Sequence, residues 1–291
     1  MIDRHPGLND WLLLLFLALI WGSSFILMKE GLKAFHPEQV ALLRIIITAV
    51  VLMPFALMRR KKVTLKQTQN MVIQGMFGNF IPAFLFPAAQ THINSSLAGI
   101  LNSLSPVWVL IIGVLFFGAS FKWIRLAGVI SALTGAVLLL VFQPAHGSTG
   151  NAWFGILIVI ATISYGLSAN IIKRYLHDVH PVTITSISFN IVLLPALIYL
   201  FTTDFTELMK SNPQAMISLG YIAILATLGS ALASIIFNRL VHHTSSLFAA
   251  SVSYLIPIVA LMWGVLDGET VTAIDYGGMA LIGAGVYLAS R

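Results

Sequence analysis

Residues 92–113 read H-I-N-S-S-L-A-G-I-L-N-S-L-S-P-V-W-V-L-I-I-G, and residues 242–264 read H-H-T-S-S-L-F-A-A-S-V-S-Y-L-I-P-I-V-A-L-M-W-G. His92, Ser95, Ser96 and Leu97 recur as His242, Ser245, Ser246 and Leu247, at a constant spacing of 150. Pro106 and Gly113 recur as Pro257 and Gly264. The match extends outward in the same order. Trp21-Gly22-Ser23-Ser24, followed by Lys29 and Pro37, answers to Tyr165-Gly166-Leu167-Ser168, followed by Lys173 and Pro181, at a spacing of 144. Gly128 and Gly135 answer to Gly278 and Gly285. Several series in one order mark a duplicated unit rather than scattered coincidences.

The medium in which that unit folds follows from composition. Of 291 residues, 58% are hydrophobic and 9% charged, and the mean hydropathy is +0.93. A soluble domain carries roughly a quarter of its residues as charges, so these proportions belong in lipid. Spanning about 30 Å of hydrocarbon takes roughly 20 apolar residues in a helix. Ten segments qualify: Trp11–Met28, Glu38–Met58, Met71–Gln90, Ser95–Phe117, Ile124–Phe142, Trp153–Ile172, Val182–Phe201, Met216–Leu240, Ser245–Leu266 and Tyr276–Ser290. Met1 to Asp10 leads directly into the first of them without a small-residue cleavage site, so that segment is expected to be a retained helix.

The net charge of +6 could point to nucleic acid, but its distribution points elsewhere. With the N-terminus cytoplasmic, the inner segments hold Arg4, Arg59, Arg60, Lys61, Lys62, Lys66, Lys122, Arg125, Lys173, Arg174, Arg239 and Arg291. The outer segments hold only Lys29, Lys33 and Lys210, while Asp267, Glu269 and Asp275 collect in the last outer loop. Twelve basic residues against three is the asymmetry of a multi-pass protein of the cell (inner or plasma) membrane, with both termini inside. Adding or removing one helix would scramble it.

Ten spans divided into two units leave five in each, and an odd number forces the second unit to insert upside down. The expected fold is therefore an all-α membrane protein of two inverted five-helix repeats, residues 1–142 and 152–291, joined by an extracytoplasmic linker at 143–151 (QPAHGSTGN). Two near-equivalent halves related by an axis in the membrane plane are built for alternating access.

With those residues laid out, the chain resembles the EamA type of the drug/metabolite transporter superfamily. The resemblance rests on Trp21-Gly22-Ser23-Ser24-Phe25, on Ala41-Leu42-Leu43-Arg44, and on the Ser95-Ser96-Leu97-Ala98 run leading to Pro106, and it covers essentially the whole chain. It implies a secondary transporter of small metabolites, similar to exporters of amino acids and related amphipathic compounds. Departures in the second half, with Tyr165 in place of tryptophan and no arginine answering to Arg44, imply an asymmetric cavity.

Candidate substrate-binding residues follow from where such folds place their sites, near mid-membrane at interrupted helices. Pro106 and Pro257 each stand about halfway along a span and free nearby carbonyls. Asn102 and Ser105 precede the first; Ser253 and Tyr254 precede the second. Trp21 with Ser24, and Tyr165 with Asn170, pair an aromatic ring with a hydroxyl or an amide, which suits a ligand with an apolar body and a polar head. The alternative is that such small residues serve close helix packing. Asn79 adds a polar group to the third span, whereas Asn190 reads as an interhelical hydrogen bond.

Arg44 is the basic residue buried within a span, and a charge at depth costs several kcal/mol unless it meets water, a partner or the bundle interior. It either attracts an anionic group such as a substrate carboxylate, or snorkels to the outer surface about 10 Å away. Gly128, Ala132 and Ala136, with Gly278 and Gly285, form small-residue ridges that should pack the fifth and tenth helices together, away from the site.

Other classes fit poorly. Without cysteine there is neither disulfide nor thiolate metal site, and the histidines lack carboxylates at ligand spacing, so neither metal nor cofactor is expected. No pair of acids and no His-Glu-x-x-His motif lies within a span, which argues against an intramembrane enzyme. No Asp or Glu lies deep in any span, so a facilitator or exchanger is expected rather than a carboxylate-based proton antiporter. A flippase or scramblase of lipid-linked substrates is the alternative function. Nucleic acid is not an expected partner, and one chain holding both units should act as a monomer.

Overall fold

The computed structural model describes residues 6–60, 63–119, 123–142, 152–268 and 272–290. The expected linker at 143–151 lies outside them, as do Arg4, Lys61, Lys62, Lys122, Glu269 and Arg291 from the charge count. Among the described residues every regular element is helical. Eight helices are long and apolar enough to cross a membrane: α1 (Leu8–Leu32), α2 (Pro37–Arg59), α3 (Leu65–Gln90), α4 (Ser95–Phe117), α6 (Gly155–Tyr175), α7 (Pro181–Thr202), α8 (Ala215–His243) and α9 (Ser246–Leu266). Two further long helices are α5 (Trp123–Phe142) and α10 (Ala273–Ser290).

Helix boundaries follow local chemistry. Asp10 reaches back to accept the Gly7 N–H at 2.9 Å at the start of α1, and Pro37 opens α2, where a missing N–H costs nothing. Asn94 Oδ1 accepts the Leu97 N–H at 2.8 Å ahead of α4, and Ser245 Oγ accepts the Phe248 N–H at 3.0 Å ahead of α9. Gly118 ends α4 at φ 71°, a conformation that favours glycine. A short helix, Phe205–Ser211, was not expected; it lies between α7 and α8, with Phe205 packed on Phe35 at 5.9 Å.

Five long helices are interrupted, α7 by a turn at Val192. Within α3 the turn widens to π geometry over Met76–Phe80, and within α8 over Leu225–Leu232. Helix α4 breaks after Asn102 and resumes at Ser105; α9 tightens to a 3-10 turn over Ser251–Tyr254 and resumes at Ile256. Pro106 and Pro257 stand in the first turn of the resumed pieces. Each proline therefore starts a half-helix instead of bending a continuous one.

Helices α5 and α10 lie against each other. A Cβ added to Gly285 would come within 2.5 Å of the Gly128 carbonyl oxygen, and one on Gly135 within 2.9 Å of the Gly278 oxygen. The expected small-residue seam is thus real. The outward faces stay apolar: Leu19, Ile130 and Ile198 are 55%, 57% and 61% exposed. Such faces are costly in water and cost nothing against acyl chains.

Candidate functional site

A central cavity of about 110 Å³, several times what one water needs, is enclosed by α1 to α4 and α6 to α9. Among the described residues neither α5 nor α10 contributes to the lining. Of the residues singled out from sequence, Trp21, Ser24, Arg44, Asn79, Asn102, Ser105 and Tyr165 line it together, although they come from five helices.

The aromatic wall has two parts. Phe25 meets Phe86 at 5.8 Å between ring centroids, and Phe86 stacks on Tyr165 at 6.1 Å. Trp21 tilts against Phe237 at 5.4 Å. Such surfaces accept a flat apolar body on their faces and leave polar tips free.

The polar groups gather where the helices are interrupted. The Trp21 indole Nε1–H donates to the Gly229 carbonyl at 2.9 Å, inside the π segment of α8. A π turn loosens the regular carbonyl ladder, and the indole takes up the group it releases. Ser24 sits on the same glycine, with its Oγ 2.7 Å from where a Cβ would stand. The arrangement recurs across the molecule. Gly78, inside the π segment of α3, abuts Ser168 Oγ, and Gln74 Nε2 donates to that hydroxyl at 3.2 Å. In each case the first helix of one half keys into the third helix of the other.

Arg44 points inward rather than snorkelling. Its Nε donates to Ser230 Oγ of α8 at 2.6 Å, and its backbone carbonyl accepts from Thr48 Oγ1. Among the described residues lining the cavity it carries the formal charge alone; no Asp, Glu, Lys or His joins it. The side-chain amides of Asn79 and Asn102 make no hydrogen bond to the described residues and face the same space. Ser105 Oγ is committed to the Asn102 carbonyl at 2.7 Å, across the break in α4.

Four expected residues stand off the wall. Asn170 Nδ2 donates to the Val109 and Gly166 carbonyls, at 2.9 and 2.8 Å, so it ties α6 to α4. Pro106 and Pro257 are buried as half-helix starters, and Tyr254 flanks the cavity-lining Ser253 without lining it. Sequence reasoning missed Gln74, Phe25, Phe86 and Phe237, which the structure brings to the wall. Gln74 had a readable signal, being an amide on the same span as Asn79. The phenylalanines had none, because nothing separates a cavity phenylalanine from a lipid-facing one in an apolar run. Asn190 does join helices, donating to the Ala49 carbonyl of α2 at 3.1 Å.

The model of the EamA-like transporter family matches residues 10–141 and again residues 152–291. A probable amino-acid metabolite efflux pump of Salmonella typhimurium is 27% identical, over 96% of this chain and 94% of its own. The inner membrane transporter YedA of Escherichia coli is 24% identical, over 91% and 85%. A solved crystal structure superposes with a TM-score of 0.68 at 17% identity, covering 97% of this chain and 96% of its own, which shows a shared fold. A helical, multi-pass membrane architecture around a largely apolar cavity with a few polar groups, matched by one family model in both halves, makes this chain a member of the EamA-like transporter family.

Proposed function

We propose that the protein is a secondary carrier that exports small amphipathic metabolites, amino acids or related carboxylate-bearing compounds, by alternating access. The observation that carries this reading is the cavity itself: both halves supply its walls, and the four helices with paired interruptions, α3, α4, α8 and α9, meet at it. Paired interruptions at matching positions are what a doubled carrier needs to change packing at one face while holding it at the other.

The architecture proposed for this function has ten spans in two inverted five-helix repeats, 1–142 and 152–291, with residues 143–151 extracytoplasmic and both termini cytoplasmic. The double family match, the basic-residue asymmetry and the reciprocal serine–glycine contacts support it. Trp21, Tyr165 and Phe86 hold the apolar body of the substrate; Arg44 meets its carboxylate; Ser24, Ser105, Asn79 and Asn102 orient the polar head. Pro106 and Pro257 set the half-helices, and Asn170 and Tyr254 support the wall from behind.

No carboxylate relay lines the cavity among the described residues, so the carrier works as a facilitator or exchanger, and one chain suffices as the working unit. The test is the medium of cells expressing the protein, compared with cells expressing Arg44→Ala. Build-up of one class of amphipathic carboxylates that the variant abolishes supports the proposal. Saturable movement of labelled phospholipid in its place supports the flippase alternative. Uphill transport driven by a pH gradient at clamped potential refutes the facilitator mechanism, and trapping only dimers by cross-linking refutes the monomer.

A further inference from the structure

We infer that the cargo is an organic monoanion without an ammonium group, and that its export is electrogenic, drawn outward by the inside-negative membrane potential. This rests on the carrier reading above and narrows it. Among the described residues the lining holds one formal charge, Arg44. Its Nε is taken by Ser230, and its two Nη groups make no hydrogen bond to the described residues. That leaves a forked pair of donors of the kind that grips a carboxylate with two bonds.

A zwitterion would satisfy this fork but would bring an ammonium that finds no carboxylate. Among the described acids of the eight lining helices, Asp10, Glu30 and Glu38 all stand near helix ends. Glu30 pairs there with Lys33 at 2.5 Å. Beyond those helices' ends, Asp204 takes Gln39 Nε2 at 2.7 Å and Asp267 takes Lys29. With a zwitterion bound the cavity keeps its charge of +1, whereas a monoanion brings it to zero. In a low-dielectric interior the neutral state is favoured, since a buried charge without a counter-charge is expensive.

The same count fixes the energetics. Arg44 belongs to the protein and returns with every cycle, so each turnover moves only the cargo's single negative charge. An inside-negative potential pushes that charge out. One elementary charge gains about 2.3 kcal/mol per 100 mV, which is roughly a 50-fold concentration ratio. Concentrative export then needs neither a proton nor a membrane carboxylate.

The experiment uses the full-length protein in liposomes, with the potential set by potassium and valinomycin. Three probes share one ring-bearing body: phenylpropanoate, phenylalanine and phenethylamine. Protein-free vesicles correct for diffusion of neutral forms. The expected result is saturable movement of phenylpropanoate, with its steady-state ratio shifting roughly 50-fold per 100 mV toward the positive side. Phenylalanine should move about tenfold more slowly or less, without responding to voltage. Preference for phenylalanine, or a phenylpropanoate ratio indifferent to voltage, overturns this inference while leaving the carrier intact. Movement of none of the three overturns the carrier reading itself.

Discussion

Replacing Arg44 by Gln separates a substrate-binding role from a structural one, because the two predict opposite changes in stability. As a ligand group, Arg44 offers charge-assisted hydrogen bonds worth about 1.5–3 kcal/mol, so Arg44→Gln should weaken binding of a carboxylate roughly 10- to 150-fold. As a resident of the membrane interior, an uncompensated arginine costs about 2.5–3.5 kcal/mol, and its removal returns much of that. The one interaction lost is the 2.6 Å bond from Nε to Ser230 Oγ, worth about 1 kcal/mol. The variant should therefore bind poorly and yet unfold at the same temperature as the parent or higher. Arg44→Lys, which keeps the charge without the fork, should fall between. The assay is isothermal titration with a carboxylate ligand beside thermal unfolding in detergent. A variant that retains affinity within a factor of about two and loses more than roughly 1 kcal/mol of stability would refute the reasoning and make Arg44 an anchor for Ser230.

Other substitutions probe the frame around the cavity. Gly229→Ala places a methyl 2.7 Å from Ser24 Oγ and should cost about 1–3 kcal/mol. Adding Ser24→Ala removes that oxygen and leaves the Ser24 Cβ at 3.9 Å and the movable Leu225 Cδ1 at 3.1 Å, so it should restore most of the loss, as double-mutant thermal unfolding would reveal. Gly285→Ala drives α10 off the Gly128 carbonyl and should destabilise by a similar amount with substrate affinity unchanged, because neither helix lines the cavity. Asn170→Ala strips a donor from the Val109 carbonyl between α6 and α4; a loss of about 1–3 kcal/mol with unaltered substrate preference is expected, and altered preference would return Asn170 to the wall. Lys29 and Asp267 join α1 to α9 in a half-exposed pair, so Lys29→Gln should change stability by less than about 1 kcal/mol, and chemical denaturation that showed more would mean the pair is shielded from water.

Much of the fold is legible in the sequence, for physical reasons. Helical spans announce themselves by length and hydropathy, since lipid offers the backbone no other partners. The Gly285–Gly128 seam was readable because close approach demands residues without bulk. Trp21, Tyr165, Arg44 and Asn79 could be picked out because polar or amphipathic groups at depth are expensive and need a reason to be there. The direction of Arg44 could not: snorkelling and inward pointing differ by a rotation about the helix axis, and Ser230, the partner that decides it, lies 186 residues away. Pro106 and Pro257 pointed to the interrupted helices but not to the cavity wall. A proline that opens a half-helix turns its ring into the packing and leaves neighbours such as Asn102 and Ser253 to face the cavity. The π segments were invisible, because Gly78-Asn79 and Gly229-Ser230 look like ordinary small-residue packing until the turn is seen to widen.

The reciprocal serine–glycine contacts also bear on how the chain is made. The helices of the first family match are made before α6 exists, so Gln74 and Gly78 wait without Ser168, and Ser24 waits without Gly229. An amide held in hydrocarbon without a partner is a reason for the nascent half to be captured quickly, by its sibling or by a chaperone. Synthesis of the second half thus supplies a template as well as a complement: α6 and α8 arrive with the groups that close both exposed seams. A ribosome stalled after residue 142 should leave a bundle prone to degradation, and supplying residues 152–291 as a separate chain should rescue it.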